Sequence, residues 1–150
     1  VIIGKPSEGG SSTDVIDELG LTDCVSWVHG VSDDRIVELY SEAQIAVVPS
    51  LYEGFSLPAI EAMSCGVPLV TTTGGALPEV AGPHDETCFQ VPPGDSEALA
   101  SMIGKVLDSS ESRSRVGENG RQRVIENWSW HHTALRTVEQ YHSLLAESKG

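Results

Sequence analysis

Short apolar runs alternate with longer amphipathic stretches along this chain. Val1–Ile3, Val25–Val28, Ile45–Val48, Val67–Thr71 and Cys88–Val91 are brief, mostly β-branched and bounded by Gly, Pro or Asp. They read as buried parallel strands. Between and after them lie helical patterns at about Ser12–Leu19, Asp33–Ala43, Pro58–Cys65, Ser96–Leu107 and Ser112–Asn127. A last helix, about Trp130–Glu147, repeats Leu135, Val138, Tyr141, Leu144 and Leu145 at three- and four-residue spacing. Ser32 or Asp33, Asp95 and Ser129 stand where helix N-caps belong, and Gly66 where a left-handed C-terminal residue is wanted.

Strand and helix alternating at this pitch predict an α/β fold, a Rossmann-like open parallel sheet with helices on both faces. The length of 150 residues fits a single domain, 1–150. The chain is already strand-like at Val1-Ile2-Ile3-Gly4, so the expectation is a piece cut from something larger.

Composition narrows the function. With 39% hydrophobic and 21% charged residues the chain reads as globular, not disordered. A net charge of −13, with lysine only at Lys5, Lys105 and Lys149, opposes nucleic acid and anionic lipid as general partners. An anionic small ligand must then be held by local dipoles or by a basic group from elsewhere. Cys24, Cys65 and Cys88 lack CxxC spacing and are expected as buried free thiols, which suits a reducing cytoplasm. No run of about 18 apolar residues reads as a membrane span; membrane association of a longer parent stays open. No His/Cys/Asp cluster has metal-ligand spacing.

The chemistry concentrates in one segment. Ile45-Ala46-Val47-Val48-Pro49-Ser50 is a strand running into a loop that holds Glu53-Gly54-Phe55-Ser56, and Leu57-Pro58 then starts a helix. The carboxyl end of a strand meeting the amino end of a helix is where open parallel sheets bind ligands. Free N–H groups and the helix dipole there attract phosphate without a lysine. Glu53 and Glu61, eight positions apart and read as loop and first helical turn, frame that anion site. Carboxylates cannot usefully face phosphate, but they accept hydrogen bonds from hydroxyls and can bridge diols. A nucleoside diphosphate sugar, with phosphates between two sugars, satisfies the whole arrangement.

The stretch from Pro49 to Val70, with Glu53, seven residues, Glu61, Ala62 and then Gly66-Val67-Pro68, closely resembles glycosyltransferase family 4. Thr71-Thr72-Thr73-Gly74-Gly75-Ala76-Leu77-Pro78-Glu79-Val80 matches its next signature, and Pro92-Pro93-Gly94-Asp95 and Trp128-Ser129-Trp130 match later ones. The resemblance implies the C-terminal, donor-binding half of a retaining glycosyltransferase of the GT-B fold. It would transfer a hexose-type sugar with no cofactor and no metal.

By that resemblance, Glu53 is the catalytic carboxylate, lying against the donor sugar. Gly54 and Phe55 amides would meet sugar hydroxyls, Ser56 and Leu57 amides the diphosphate, Glu61 the ribose diol, and the backbone near Gly30 and Val31 the base. Gly74-Gly75 is expected as a tight structural turn, with Pro78 opening a short helix and Glu79 serving as an ion-pair or capping partner. His131 and His132 are expected exposed at a helix start, and Trp128 and Trp130 packed on the final helix. The family's acceptor-binding N-terminal domain is absent from residues 1–150, as is the first, central strand of an order 3-2-1-4-5-6, followed in the family by Arg- and Lys-bearing segments. The fragment is expected to fold marginally alone and to be inactive, with its last helix lacking the other domain. A nucleotide-sugar epimerase, a glycogen-synthase-like relative and a non-catalytic nucleotide-binding module remain alternatives.

Overall fold

The computed structural model describes residues 1–6 and 11–147. The chain divides into two compact units, residues 1–38 and 39–150. The first contains strand β1 (Ile2–Ile3), helix α1 (Ser11–Glu18), a 3-10 turn at Thr22–Cys24 and strand β2 (Trp27–Val28). β1 and β2 pair in parallel, Ile2 opposite Trp27 and Ile3 opposite Val28. Helix α2 (Asp33–Glu42) begins here; Ser32 is the residue that caps it, accepting the Arg35 N–H at 3.4 Å.

The second unit is built on strands β3 (Ala46–Val48), β4 (Leu69–Thr72) and β5 (Phe89–Val91), all parallel in the order β3-β4-β5. Helices α3 (Leu57–Ser64) and α4 (Leu77–Ala81) follow β3 and β4, and α5 (Ser96–Asp108), α6 (Ser110–Asn127) and α7 (Trp130–Glu147) complete the chain. All five strands read from the apolar pattern are present, but they pair as two sheets of two and three strands.

β4 lies at the middle of the larger sheet and is buried along its whole length. Its side chains alternate between the faces, as the two-residue period of a strand requires. Leu69 joins Val48, Ala59, Met63, Leu77, Ala81, Cys88 and Val124 in one cluster. Val70 joins Phe89, Val106 and Val116 in the other, with Leu99, Met102 and Ile103 against it. α6 supplies Val116 to one and Val124 to the other, so a single helix braces both layers.

The stops follow the sequence. Gly66 ends α3 with φ +75 and donates its N–H to the Met63 carbonyl at 2.9 Å, while Val67 bonds back to Ala62. Asp95 accepts the Ala98 N–H at 2.8 Å and starts α5. Ser129 accepts the His132 N–H at 3.3 Å, and its hydroxyl also meets the His132 ring at 2.9 Å.

Two packing expectations need correction. Trp130 is 89% exposed and packs on nothing central, whereas half-buried Trp128 lies on the core, not along the final helix. Only Cys88 is a buried thiol; Cys24 is exposed and Cys65 half-buried, and all three are free. The proximity of Cys24 to a strand misled because the 3-10 turn before β2 runs along the surface. Along α7, Leu135, Val138, Tyr141 and Leu144 are all exposed. Among the described residues no helix is long and apolar enough to cross a membrane.

Candidate functional site

Because β3, β4 and β5 are parallel, their carboxyl ends share one edge, from which the segments 49–56, 73–76 and 92–95 emerge. Glu53 sits half-buried in the first of these. Its backbone is pinned to the second: the Ala76 N–H donates to the Glu53 carbonyl at 2.8 Å, and Glu53 forms a lone parallel bridge with Gly75. The Gly-Gly turn expected from sequence is there, and its reason is close approach. A Cβ on Gly75 (φ +63) would land on the Glu53 carbonyl oxygen and 2.9 Å from its nitrogen, and one on Gly74 would overlap the Leu51 carbonyl. Leu77 and Pro78 then open α4 as expected.

The Glu53 carboxylate has one partner, the Ser50 hydroxyl, which donates to Oε1 at 2.8 Å. Oε2 has none among the described residues. Threonine side chains of β4 stitch the same loop from beneath: Thr71 donates to the Val48 carbonyl at 3.1 Å and Thr72 to the Ser50 carbonyl at 2.5 Å.

Immediately after Glu53, Gly54 and Phe55 are exposed and Ser56 is fully buried. Ser56 has the extended N-cap backbone (φ −107, ψ 98), yet makes no capping bond. Its hydroxyl is buried without a partner among the described residues. The first backbone bond of α3 is Ile60 N–H to the Ser56 carbonyl at 3.3 Å. Pro58 carries no N–H, so Leu57 and Ala59 leave the unpaired donors of the helix's first turn. Free amides at the positive end of a helix dipole are groups that attract anions.

Glu61 is exposed and is the fifth residue of α3, one residue further along than the sequence reading put it and so just past the first turn, because the helix begins at Leu57. Its neighbour is Tyr40, whose hydroxyl donates to the Pro58 carbonyl at 3.4 Å. Burial, then the negative charges of Glu61 and Cys65, push the Tyr40 phenol up to about 12. The structure thus gathers Glu53, Gly54, Phe55, Ser56, Leu57 and Glu61 on one loop and the helix that follows it. Gly30 (φ +65) and Val31 lie in the first unit, both exposed, just beyond β2.

Several expectations about neighbouring residues resolve differently. Glu79 takes part in no ion pair among the described residues; Arg123 reaches its backbone carbonyl instead, at 2.5 Å, and that of Val80 at 3.1 Å. His131 is exposed as expected, but His132 is half-buried and bonded to Ser129. Trp128 is the residue whose relation to the site had no sequence signal. Its ring meets Phe55 edge-on at 5.4 Å, and its indole N–H donates to the Val80 carbonyl at 3.2 Å. A recess of about 190 Å³ opens at the same sheet edge between Leu51, Thr72, Pro92, Gly94 and Leu99. Among the described residues no group of three His, Cys, Asp or Glu side chains is placed to hold a metal ion.

Comparison with known proteins agrees with this architecture. Residues 1–123 match the family described as Glycosyl transferases group 1. The chain is 43% identical over 145 residues to the MMP alpha-(1->4)-mannosyltransferase of Mycolicibacterium hassiacum, covering 97% of this chain and 35% of that protein. Among solved structures, sucrose-phosphate synthase from Thermosynechococcus elongatus superposes with a TM-score of 0.84 at 34% identity, over 97% of this chain and 38% of that one. Anabaena Alr3699/HepE, solved in complex with UDP, gives 0.80 at 23% identity over 87% of this chain and 35% of the other, a likeness of fold. The chain spans about a third of the length of the curated relatives it matches.

Proposed function

This chain belongs to the glycosyl transferases group 1 family, and on that premise we propose that it is the donor-binding part of a longer, retaining glycosyltransferase. The donor is a nucleoside diphosphate sugar and the transferred group a hexose. One observation carries the reading: a carboxylate held by one oxygen at the sheet's carboxyl edge, directly before a helix whose first amides are unpaired.

Each part has a task in this reading. The α3 amino terminus takes the diphosphate through the Ser56 and Leu57 amides, with Gly54 and Phe55 amides meeting the sugar hydroxyls. Glu53 orients the sugar through its open oxygen and stabilises positive charge developing at the ring, as a positioner more than a nucleophile. Glu61 accepts the ribose diol, and the backbone at Gly30 and Val31 meets the base. Retention follows if the leaving phosphate assists the incoming hydroxyl on the same face of the sugar. The charge of −13 makes a basic contribution from elsewhere in the parent desirable, since the donor phosphates are anionic. The exposed apolar stripe of α7 supports a parent that supplies further structure to this part. The free thiols suit a cytoplasmic protein. No metal ion enters this reading, because helix amides and basic groups supply the positive field.

Calorimetry of the full-length protein with UDP, GDP and ADP tests it. The UDP in the Alr3699/HepE complex and the mannosyl transfer named for the mycobacterial relative make UDP-glucose and GDP-mannose the first donors to try. Tight binding of one nucleotide with transfer from its sugar is expected, and binding of none would refute the proposal.

A further inference from the structure

We propose that Ser50 is a positioning residue for the Glu53 carboxylate, its hydroxyl deciding which oxygen faces the donor sugar; this rests on the role given to Glu53 above. The Ser50 hydroxyl donates to Glu53 Oε1 at 2.8 Å and is the only hydrogen-bond partner of that carboxylate among the described residues. A glutamate side chain rotates about three bonds, and fixing its backbone does not fix the carboxylate plane. The Ala76 bond holds the Glu53 backbone; the serine holds the head group.

The serine is itself anchored. Its carbonyl accepts the Thr72 hydroxyl at 2.5 Å, and the Thr72 oxygen accepts the Gly74 N–H at 3.3 Å. Thr72 is 2% exposed, at the end of the central strand β4. The proton directions admit one solution. A carbonyl and a carboxylate only accept, so the Thr72 hydroxyl gives its proton to the Ser50 backbone carbonyl and the Ser50 hydroxyl gives its own to Glu53. The first bond thus anchors the Ser50 backbone to the buried central strand, the second holds the carboxylate by Oε1, and Oε2 is left open.

A serine at a loop start ordinarily turns back to a nearby backbone N–H. Ser50 instead gives its hydrogen bond to a side chain three residues on, and a bond to an ionised acceptor is the stronger kind. Turn formation alone does not account for that choice.

The test uses the full-length enzyme with UDP-glucose and GDP-mannose as trial donors. Ser50→Ala should lower kcat about tenfold, the scale of one hydrogen bond to a charged group, with donor KM and nucleotide affinity within about twofold. Ser50→Thr, which restores the hydroxyl, should recover kcat to within about threefold. An unchanged kcat in Ser50→Ala would overturn the proposal. So would joint loss of kcat, nucleotide affinity and melting temperature with no recovery in Ser50→Thr, the pattern of a structural residue. An unmutated enzyme that binds neither nucleotide and uses neither donor would overturn the function itself, and the serine's role with it.

Discussion

Gly75 and Glu53 meet backbone against backbone: the glycine's missing side chain leaves the space that the Glu53 carbonyl occupies, and its neighbour Ala76 donates to that carbonyl at 2.8 Å. Gly75→Ala should therefore cost about 2 kcal/mol or more, combining a left-handed backbone (φ +63) with a clash against main-chain atoms that cannot swing aside. Activity should fall further than stability explains, since the clash displaces Glu53. A melting curve and kcat on the same preparation check this; a variant as stable as the parent would refute the close approach.

The two glutamates should separate kinetically. Glu61→Ala is expected to weaken nucleotide binding by about tenfold or more, as loss of hydrogen bonds to a diol would. Glu53→Ala should leave nucleotide affinity near that of the unmutated enzyme and reduce turnover by about a hundredfold or more, as loss of transition-state stabilisation does. Calorimetry with the bare nucleotide and steady-state rates with its sugar distinguish the two. Equal nucleotide affinity in Glu61→Ala would remove its ribose role.

Cys88 gives a pH dependence of known sign. Burial first of all pushes its thiol up to about 11, and its hydrogen donates to the Gly82 carbonyl at 3.4 Å. The unfolded chain releases this proton near pH 9, the folded chain only near 11. Below pH 9 stability is unaffected by the group; between those values it falls as pH rises, by on the order of 2 kcal/mol across the window. Tyr40, raised to about 12 from 10, adds a decline in the same direction at higher pH. Guanidinium midpoints at pH 7.5 and 10.5 should differ, and Cys88→Ala should narrow the difference. A gap of the same size in the variant would exclude the thiol as its source.

Two helical glycines should respond with opposite signs. Gly104 on α5 has nothing within 4 Å of an added Cβ, so Gly104→Ala should stabilise by about 0.5–1 kcal/mol through helix propensity. Gly117 on α6 would place its Cβ on the Gly66 carbonyl oxygen and 3.4 Å from Pro68. There the clash outweighs propensity, and Gly117→Ala should destabilise by about 1–3 kcal/mol. Thermal melts of both variants decide it.

The legible part of this molecule is what local pattern encodes. The Ile45–Val48 run, the break at Pro49 and the proline at position 58 are enough to bring Glu53 to a strand end before a helix. The apolar pattern shows which residues are strands but not which strands pair; the only hint of a division into two sheets is the order 3-2-1-4-5-6 read without its central first strand. The one-residue displacement of Glu61 came from treating Pro58 as the first helical residue when Leu57 precedes it. Gly74-Gly75 reads as a turn in any sequence; that the turn exists to admit the backbone of Leu51 and Glu53 is a tertiary fact. Trp128 against Phe55 is likewise invisible locally, and the Trp-Ser-Trp pair looks symmetrical until burial separates a core residue from an exposed one.

The joining of segment 50–53 to segment 72–76 bears on how this fold could be recombined. Ser50 and Glu53 draw their geometry from atoms of Thr72, Gly75 and Ala76, so the two loops are one fitted unit carried on separate stretches of chain. A chimera that imports a relative's Glu-bearing loop while keeping the host's Thr-Gly-Gly segment would graft half of a fitted joint. The carboxylate's placement would have to be transplanted as the pair.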